Sequence, residues 1–370
     1  MQICICREMS RCKLEEFISY EQPAKYIVDS DQYDDSYETP VLTAGKSFIL
    51  GYTDETNNIF DNLPVIIFDD FTTSVQFVDF PFKVKSSAMK LLKNTEQADI
   101  KYCYYLLKFL QHTPENHKRQ WLSATSQNIV ELPTIEEQKN IVKKLDKILE
   151  VIDNQNKQLE LLDEAIKARF MEMFGDVRNN PYNFSKVKLG KICDVRDGTH
   201  DSPKYQAVGY PLITSKNLTS GEIDFSNCNY IKEEDLKKIN LRSEVTRGDI
   251  IMPMIGTIGN PIIVNTDIQF AIKNVALIKF NNGILQNIYV KYLLSSDYFD
   301  FSILRNVRGG TQKFIALKDL RDLDVLIPPL ELQNQFASFV EEIDKSRSRI
   351  QKSLEASQEL FDSLIQEYFG

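Results

Sequence analysis

Two stretches of the chain, residues 133–175 and 328–370, carry apolar residues at mixed spacings of three and four. Each opens on proline, has acidic residues near its start, closes on glycine, and has neither proline nor glycine in between. This pattern predicts one long amphipathic helix per stretch, with an apolar seam for another helix. At 1.5 Å per residue, each helix would be roughly 60 Å long.

The two stretches are copies of each other. A shift of 195 residues aligns them without a gap, matching LPTIEEQ (132–138) with IPPLELQ (327–333), and 11 of 43 positions are identical. The seam positions agree better than the identities, for example Ile141 with Phe336 and Leu145 with Val340. Each copy follows a globular segment, so we infer a duplicated unit of domain plus helix. Two unrelated amphipathic helices are the alternative, and they explain the ungapped match less well.

The globular segments have a similar order of elements. Short β-rich runs separated by polar turns precede one helix, predicted at 98–111 in the first segment and near 288–295 in the second. We therefore expect an α/β (α+β) fold with two related domains, 1–132 and 180–327, joined by helices within 133–179 and 328–370. Antiparallel pairing of the two helices would place one domain at each end of a coiled-coil spacer, about an approximate two-fold axis.

Charge and cysteine usage restrict the class of protein. The net charge of the 370 residues is −9, yet residues 180–327 carry 19 basic and 16 acidic side chains. The acidity therefore lies in the first segment and in the helices. The six cysteines are scattered without zinc-site spacing, and we expect neither a secretory leader nor a membrane-spanning run. We expect a cytoplasmic protein with reduced thiols.

A search for catalytic motifs finds only near misses. NNPYNF (179–184) lacks the second proline of the amino-methyltransferase motif, and GTIG (256–259) lacks dinucleotide-binding spacing. Asp69 and Asp70 follow a strand, where aspartate pairs are more often turn or cap residues than metal ligands. His112 and His117 have no further ligands nearby in the sequence. We expect no metal and no cofactor in this chain.

Polar side chains in the predicted turns suit nucleic acid, because such donors contact phosphates and base edges. RNVRGGTQK (305–313) is the most suggestive of these turns. The candidates in the first segment are Lys46, Ser47, Thr72, Thr73, Lys83, Lys85, Lys118 and Arg119. Those in the second are Thr199, His200, Lys204, Ser215, Lys216, Asn217, Thr257, Arg305, Arg308, Gln312 and Lys313.

Taken together, these patterns resemble the specificity subunit of a type I restriction–modification enzyme over nearly the whole chain. The resemblance rests on DGTH (197–200), RGDIIMPMIGTIG (247–259), RGGTQKFIALKDLRDLDVLIPPLELQ (308–333), LPTIEEQ and the repeat. TPVLTAGKSFILGYT (39–53) and LPVIIFDDFTT (63–73) resemble one kind of target-recognition domain. Leu332 departs from the family pattern, in which Glu precedes Gln333.

The resemblance implies that each domain reads half of a split double-stranded DNA target and that the helices set the spacer length. It also implies docking of two methyltransferase subunits, which carry S-adenosylmethionine and methylate adenine N6, and of restriction subunits. The chain itself would be non-catalytic. The implied docking residues are Glu136, Gln138, Ile141, Leu145, Glu331, Gln333, Phe336 and Val340.

Two other classes of protein stay open from the sequence alone. A coiled-coil scaffold without a DNA role would explain the helices but not the polar loops of both domains. A methyltransferase or nuclease would need its missing motifs to be hidden. The sequence predicts neither the target nor the bases that a given loop residue contacts.

Overall fold

The computed structural model describes residues 10–43, 47–114, 119–255, 259–303 and 314–370. The chain forms two compact units: unit 1 consists of Met1–Asn156 with Lys352–Gly370, and unit 2 of Lys157–Gln351. The division falls inside both long helices, so each unit contains a globular part and half of each helix. The boundaries predicted between domains and helices stay predictions.

Unit 1 contains nine strands and three short helices among its described residues. The strands are β1 (Ser10–Lys13), β2 (Ile18–Glu21), β3 (Thr39–Leu42), β4 (Ile49–Thr53), β5 (Val65–Asp69), β6 (Val75–Val78), β7 (Lys83–Val84), β8 (Met89–Asn94) and β9 (Ile129–Leu132). The helices are α1 (Leu14–Phe17), α2 (Ile100–Phe109) and α3 (Gln120–Ser123), and 3-10 turns cover Pro23–Tyr26 and Thr125–Gln127.

The long helix α4 (Ile135–Phe174) leads from unit 1 into unit 2. The strands there are β10 (Ser185–Lys188), β11 (Asp194–Asp197), β12 (Tyr210–Ile213), β13 (Asn229–Ile231), β14 (Ile250–Pro253), β15 (Ile262–Ile263), β16 (Ala271–Ile272), β17 (Val275–Lys279) and β18 (Asp324–Ile327). The helices are α5 (Leu189–Ile192), α6 (Glu233–Ser243), α7 (Asn287–Leu294), α8 (Asp297–Ile303), α9 (Leu317–Arg321) and the long α10 (Leu330–Phe369), with a 3-10 turn at Ser215–Leu218.

The two units share one sheet topology, which confirms the predicted α/β repeat. A four-stranded sheet has the order β2-β8-β5-β6 in unit 1 and β11-β17-β14-β15 in unit 2. A three-stranded sheet has the order β4-β3-β7 or β13-β12-β16, with one parallel pair in each, β3 with β7 and β12 with β16. A two-stranded sheet, β1-β9 or β10-β18, joins the start of each globular part to the strand before its long helix.

The long helices pair in opposite directions within each unit. In unit 1, Lys144 Nζ donates to the Tyr368 hydroxyl at 3.1 Å and Gln155 Nε2 donates to Ser353 Oγ at 2.8 Å. In unit 2, Arg347 donates to Asp163 at 2.6 Å, and the rings of Phe170 and Phe336 lie 5.5 Å apart. The predicted antiparallel seam is thereby confirmed within each unit.

The seam residues enter the core of the globular parts. Ile141 and Leu145 of α4 pack with Phe361 of α10 in the core of unit 1. Their repeat equivalents, Phe336 and Val340 of α10, pack with Ile166 and Phe170 of α4 in the core of unit 2. Burial of these apolar side chains stabilises each helix against its own domain.

Candidate nucleic-acid interface

Four strand ends converge on one side of unit 2. The parallel pair β12–β16 ends together, since Ile213 lies opposite Ile272. The end of β14 at Pro253 lies opposite Val275, the first residue of β17. The chain leaving β11 joins them, because Thr199 N–H donates to Ile272 O at 3.0 Å. We call the described residues of the segments that begin at Gly198, Thr214, Met254 and Lys273 the strand-end face of unit 2.

Unit 1 has the equivalent arrangement. Leu42 lies opposite Val84 in the parallel pair β3–β7, and Asp69 at the end of β5 lies opposite Met89 of β8. The chain that leaves β2 also passes this edge, where Ile27 bridges to Val84. The described residues of the segments that begin at Gln22, Thr43, Asp70 and Lys85 form the strand-end face of unit 1.

Lys85 and Lys273 occupy the same place on the two faces. Lys85 N–H donates to Leu42 O at 2.9 Å, and Lys273 N–H donates to Ile213 O at 2.9 Å, each across the parallel pair. The Lys85 ammonium contacts Asp31 and lies 5.9 Å from the centre of the Tyr33 ring, and the Lys273 ammonium contacts Ser202. The sequence indicated Lys85 but not Lys273, because their equivalence depends on strand register and not on spacing.

The DGTH sequence turns the chain sharply at the end of β11. A Cβ on Gly198 would lie 2.2 Å from the carbonyl oxygen of Ile272, so only glycine fits there. The backbone of Thr199 bridges to Lys273, while the ring of His200 reaches back to Asp197, with Nε2 3.0 Å from Oδ2. The motif therefore builds a rigid corner on the strand-end face of unit 2.

The strand-end faces hold most of the predicted DNA-contact residues that the structure describes. Exposed side chains are Ser47, Thr72, His200, Lys204 and Lys216, and half-buried ones are Lys85, Thr199 and Ser215. Arg119 is exposed beside this edge of unit 1, where Gln120 N–H donates to Asp70 O at 2.8 Å. Lys46, Lys118, Thr257, Arg305, Arg308, Gln312 and Lys313 lie outside the described residues.

Three other predicted contact residues are buried and bound within their own units. Lys83 is 1% exposed and pairs with Glu55 at 2.6 Å. Thr73 Oγ1 donates to His112 O at 2.6 Å. Asn217 closes the loop after β12, because its Oδ1 accepts from Thr214 N–H at 3.0 Å and its Nδ2 donates to Asp224 O at 3.2 Å. These contacts favour structural roles for the three side chains over direct contact with DNA.

The aspartate pair at the end of β5 has structural contacts. Asp69 Oδ1 accepts from Phe71 N–H at 2.8 Å, which closes the turn before β6. Asp70 Oδ1 accepts from Trp121 N–H at 2.9 Å, and its other oxygen lies 3.1 Å from Lys90 Nζ. In the described part of the chain, no group of three or more His, Cys, Asp or Glu side chains could hold a metal ion.

Most of the predicted docking residues also face inward. Gln138, Ile141, Leu145, Gln333, Phe336 and Val340 are buried, whereas Glu136 and Glu331 are exposed in the first turns of α4 and α10. Glu137 caps its own helix, because its carboxylate accepts from Thr134 N–H at 3.1 Å. In the second copy, Pro329 stands in place of Thr134 and Leu332 in place of Glu137. The departure at Leu332 therefore removes a helix cap, and the docking role of the eight residues stays a prediction.

Comparison with known proteins places the chain in a family. Residues 181–358 match the type I restriction modification DNA specificity domain. The chain is 30% identical over 377 residues to the EcoR124I/EcoR124II specificity subunit of Escherichia coli, covering 95% of this chain and 91% of that one. It is 23% identical over 378 residues to the MjaVIII specificity subunit of Methanocaldococcus jannaschii, covering 92% and 89%.

Solved structures share the fold. The S subunit of a type I system from M. genitalium superposes with a TM-score of 0.59 at 14% identity, covering 100% of this chain and 98% of that one. A chain from a structural study of complex assembly and conformational transition in a type I system gives 0.53 at 15% identity, covering 98% and 97%.

The chain belongs to the specificity subunits of type I restriction–modification systems. Its role is DNA recognition within a complex with other subunits of such a system, and not catalysis. None of the described helices is both long and apolar enough to cross a membrane.

Proposed function

We propose that each unit reads one half of a split double-stranded DNA target through its strand-end face. The observation that carries this proposal is the equivalence of the two faces, each made of four strand ends and each with a lysine at the end of the parallel pair. Loops at strand ends can present several donors to one groove while the sheet beneath stays rigid. Two equivalent faces in one chain suit two half-sites.

The net charge of the chain suggests how DNA binding is divided between this chain and its partner subunits. Non-specific affinity for DNA depends on the number of phosphates that Lys and Arg neutralise. A chain with a net charge of −9 should therefore bind DNA weakly by itself. We propose that the partner methyltransferases supply much of the phosphate contact, while this chain supplies base contacts. Tight, salt-resistant binding of DNA by the isolated chain would count against this division.

The long helices would fix the spacer between the half-sites and dock the partners. The exposed first-turn carboxylates, Glu136 and Glu331, are equivalent in the repeat and so suit two copies of one partner. We propose two methyltransferase subunits, which carry S-adenosylmethionine and methylate adenine N6, joined by restriction subunits that cleave. The complex would act in the cytoplasm, which agrees with the free thiols of Cys12, Cys103, Cys193 and Cys228.

The test is co-expression with the methyltransferase from the same system, followed by single-molecule sequencing of methylated adenines. The proposal expects one split motif with a constant spacer, methylated only when this chain is present. A methylated motif without a spacer would contradict the two-face arrangement. A stable complex without methylation would show that docking persists without target reading.

A further inference from the structure

A buried carboxylate organises the strand-end face of unit 2. Asp197, at the end of β11, is 6% exposed. Its two oxygens have different partners: Oδ1 pairs with the guanidinium of Arg242, and Oδ2 lies 3.0 Å from His200 Nε2. Arg242 belongs to α6 and is fixed from a second side, because its carbonyl accepts from Arg196 at 2.9 Å. Helix α6 is thus tied to the corner that carries His200.

His200 in turn holds Asn274, in the turn between β16 and β17. Asn274 Oδ1 lies 2.8 Å from His200 Nδ1. The backbone of Asn274 has a φ of 55°, in the left-handed region, and its N–H donates to Thr199 O at 3.2 Å. Both the backbone and the side chain of Asn274 are therefore anchored to the DGTH corner.

This arrangement holds one end of the Asn274 amide against the imidazole of His200 and leaves the other end available. The contact between the amide and Nδ1 of His200 measures 2.8 Å, and among the described residues the Asn274 side chain makes no other hydrogen bond. Asparagine is one of the side chains that read base edges, and a good paired contact contributes substantially to discrimination. With one end held, Asn274 presents the other end of its amide to a base edge. Base edges in the major groove carry the donors and acceptors that match an amide.

We propose that Asn274 is a base-reading residue of the half-site bound by unit 2, and that Arg242, Asp197 and His200 are its positioning residues. The inference rests on the proposed function, because it assumes that the strand-end face meets DNA. Unit 1 has no such chain of contacts among its described residues. After β2 its sequence continues as Gln22-Pro23, and Glu21 accepts from Tyr26 at 2.8 Å. The effect should therefore be confined to one half-site.

The experiment is methylation mapping with variants of this chain, co-expressed with the methyltransferase. Asn274→Gly removes the side chain and keeps the left-handed backbone, and Asn274→Asp keeps the shape without the donors. Both should reduce discrimination at one base pair of one half-site by roughly tenfold or more, and leave the other half-site unchanged. Arg242→Gln should relax the same base pair, and Arg242→Lys should recover part of the discrimination because it keeps the charge.

Leu241→Ala is the matched control, because this side chain is 87% exposed beside Arg242 on α6. It should leave both half-sites unchanged. Unchanged base preference in Asn274→Gly and Arg242→Gln, with the split motif still methylated, would overturn the inference and leave the proposed function standing. Failure of the unmodified chain to direct split methylation would instead overturn the proposed function. If a thermal melt shows that Arg242→Gln is not folded, the Asn274 variants alone test the inference, because Asn274 is only half-buried.

Discussion

Gln138 and Gln333, which stand 195 residues apart, make the same three hydrogen bonds in their own units. Gln138 Oε1 accepts from Asp99 N–H at 2.8 Å, and its Nε2 donates to the carbonyl oxygens of Gln97 at 3.1 Å and Pro133 at 2.8 Å. Gln333 accepts from Gln286 N–H at 2.8 Å and donates to Ile284 O at 3.0 Å and Pro328 O at 2.9 Å. Each amide locks the start of a long helix onto the loop before α2 or α7.

Gln333→Glu should therefore weaken unit 2. The carboxylate keeps an oxygen for Gln286 N–H but loses both donors, and it is placed against two carbonyl oxygens in a site that is 0% exposed. Buried groups left without partners cost about 1–3 kcal/mol each, so we expect a loss of about 3 kcal/mol or more in the free energy of unfolding. Chemical denaturation measures it. Gln335→Glu, on the exposed side of the same helix, should change stability little.

The repeat and the long helices could be predicted from sequence because the apolar period extends over 43 residues. The helices run Ile135–Phe174 and Leu330–Phe369, within two residues of the predicted stretches. The direction in which a repeated polar residue points could not be predicted. The resemblance implies partner docking by Gln138 and Gln333, but the same spacing suits an outward side chain and one that bonds to its own domain, as both do here.

The candidate interface could be predicted only in part, since it depends on strand register. Lys83 and Lys85 alternate in sequence as if on one face of a strand, yet β7 ends at Val84 and only Lys85 reaches the edge. Lys273 and Asn274 lie in an apolar run of the sequence. Only the parallel pairing of β12 with β16 shows that they lie on the strand-end face. No sequence motif indicated a role for Arg242, because its partner Asp197 lies 45 residues away in the chain.

Lys85 and Lys273 should contribute equally to phosphate contact. Removing one phosphate-contacting lysine lowers the slope of log affinity against log salt by about one. We expect Lys85→Ala and Lys273→Ala each to reduce the slope by about one, and the double variant by about two, without changing the methylated motif. Salt titrations of DNA binding by the assembled complex measure this. Lys191→Ala, on α5 before the start of β11, should leave the slope unchanged, and an equal change there would refute the assignment.

Lys83 should affect stability and not DNA binding. Lys83→Met leaves Glu55 largely buried without its cation, and breaking a buried pair from one side costs about 3–5 kcal/mol. We expect a loss of that order in the free energy of unfolding, with no change in the salt dependence of DNA binding. The double variant Lys83→Met with Glu55→Gln should recover part of the stability. A reduced salt slope in the single variant would restore Lys83 as a phosphate contact.

The same pair should make unit 1 sensitive to acid. Burial works to raise the pKa of Glu55, but hydrogen bonds from Lys83 and from the backbone of Ser30 and Asp29 leave that pKa below its usual value. A carboxyl with a lowered pKa stabilises the fold above its unfolded pKa, and this contribution is lost as pH falls through the folded pKa. The stability difference between the unmodified chain and Glu55→Gln should therefore be largest near pH 7 and shrink by about pH 3. A stability difference that stays constant with pH would contradict the stabilising role of the ionised Glu55 carboxylate.

Gln155 and Ser353 mark a level at which both long helices can be extended together, because their side chains meet at 2.8 Å. Seven residues inserted in each helix at this level add two turns and keep the seam within about 20° of its face. The added length is about 10 Å, or about three base pairs at 3.4 Å each. If the helices set the spacer, methylation mapping should show it lengthened by about three base pairs with both half-sites unchanged. The same insertion in α4 alone should disrupt the seam and reduce methylation. An unchanged spacer in the double insertion would show that the helices do not set the distance.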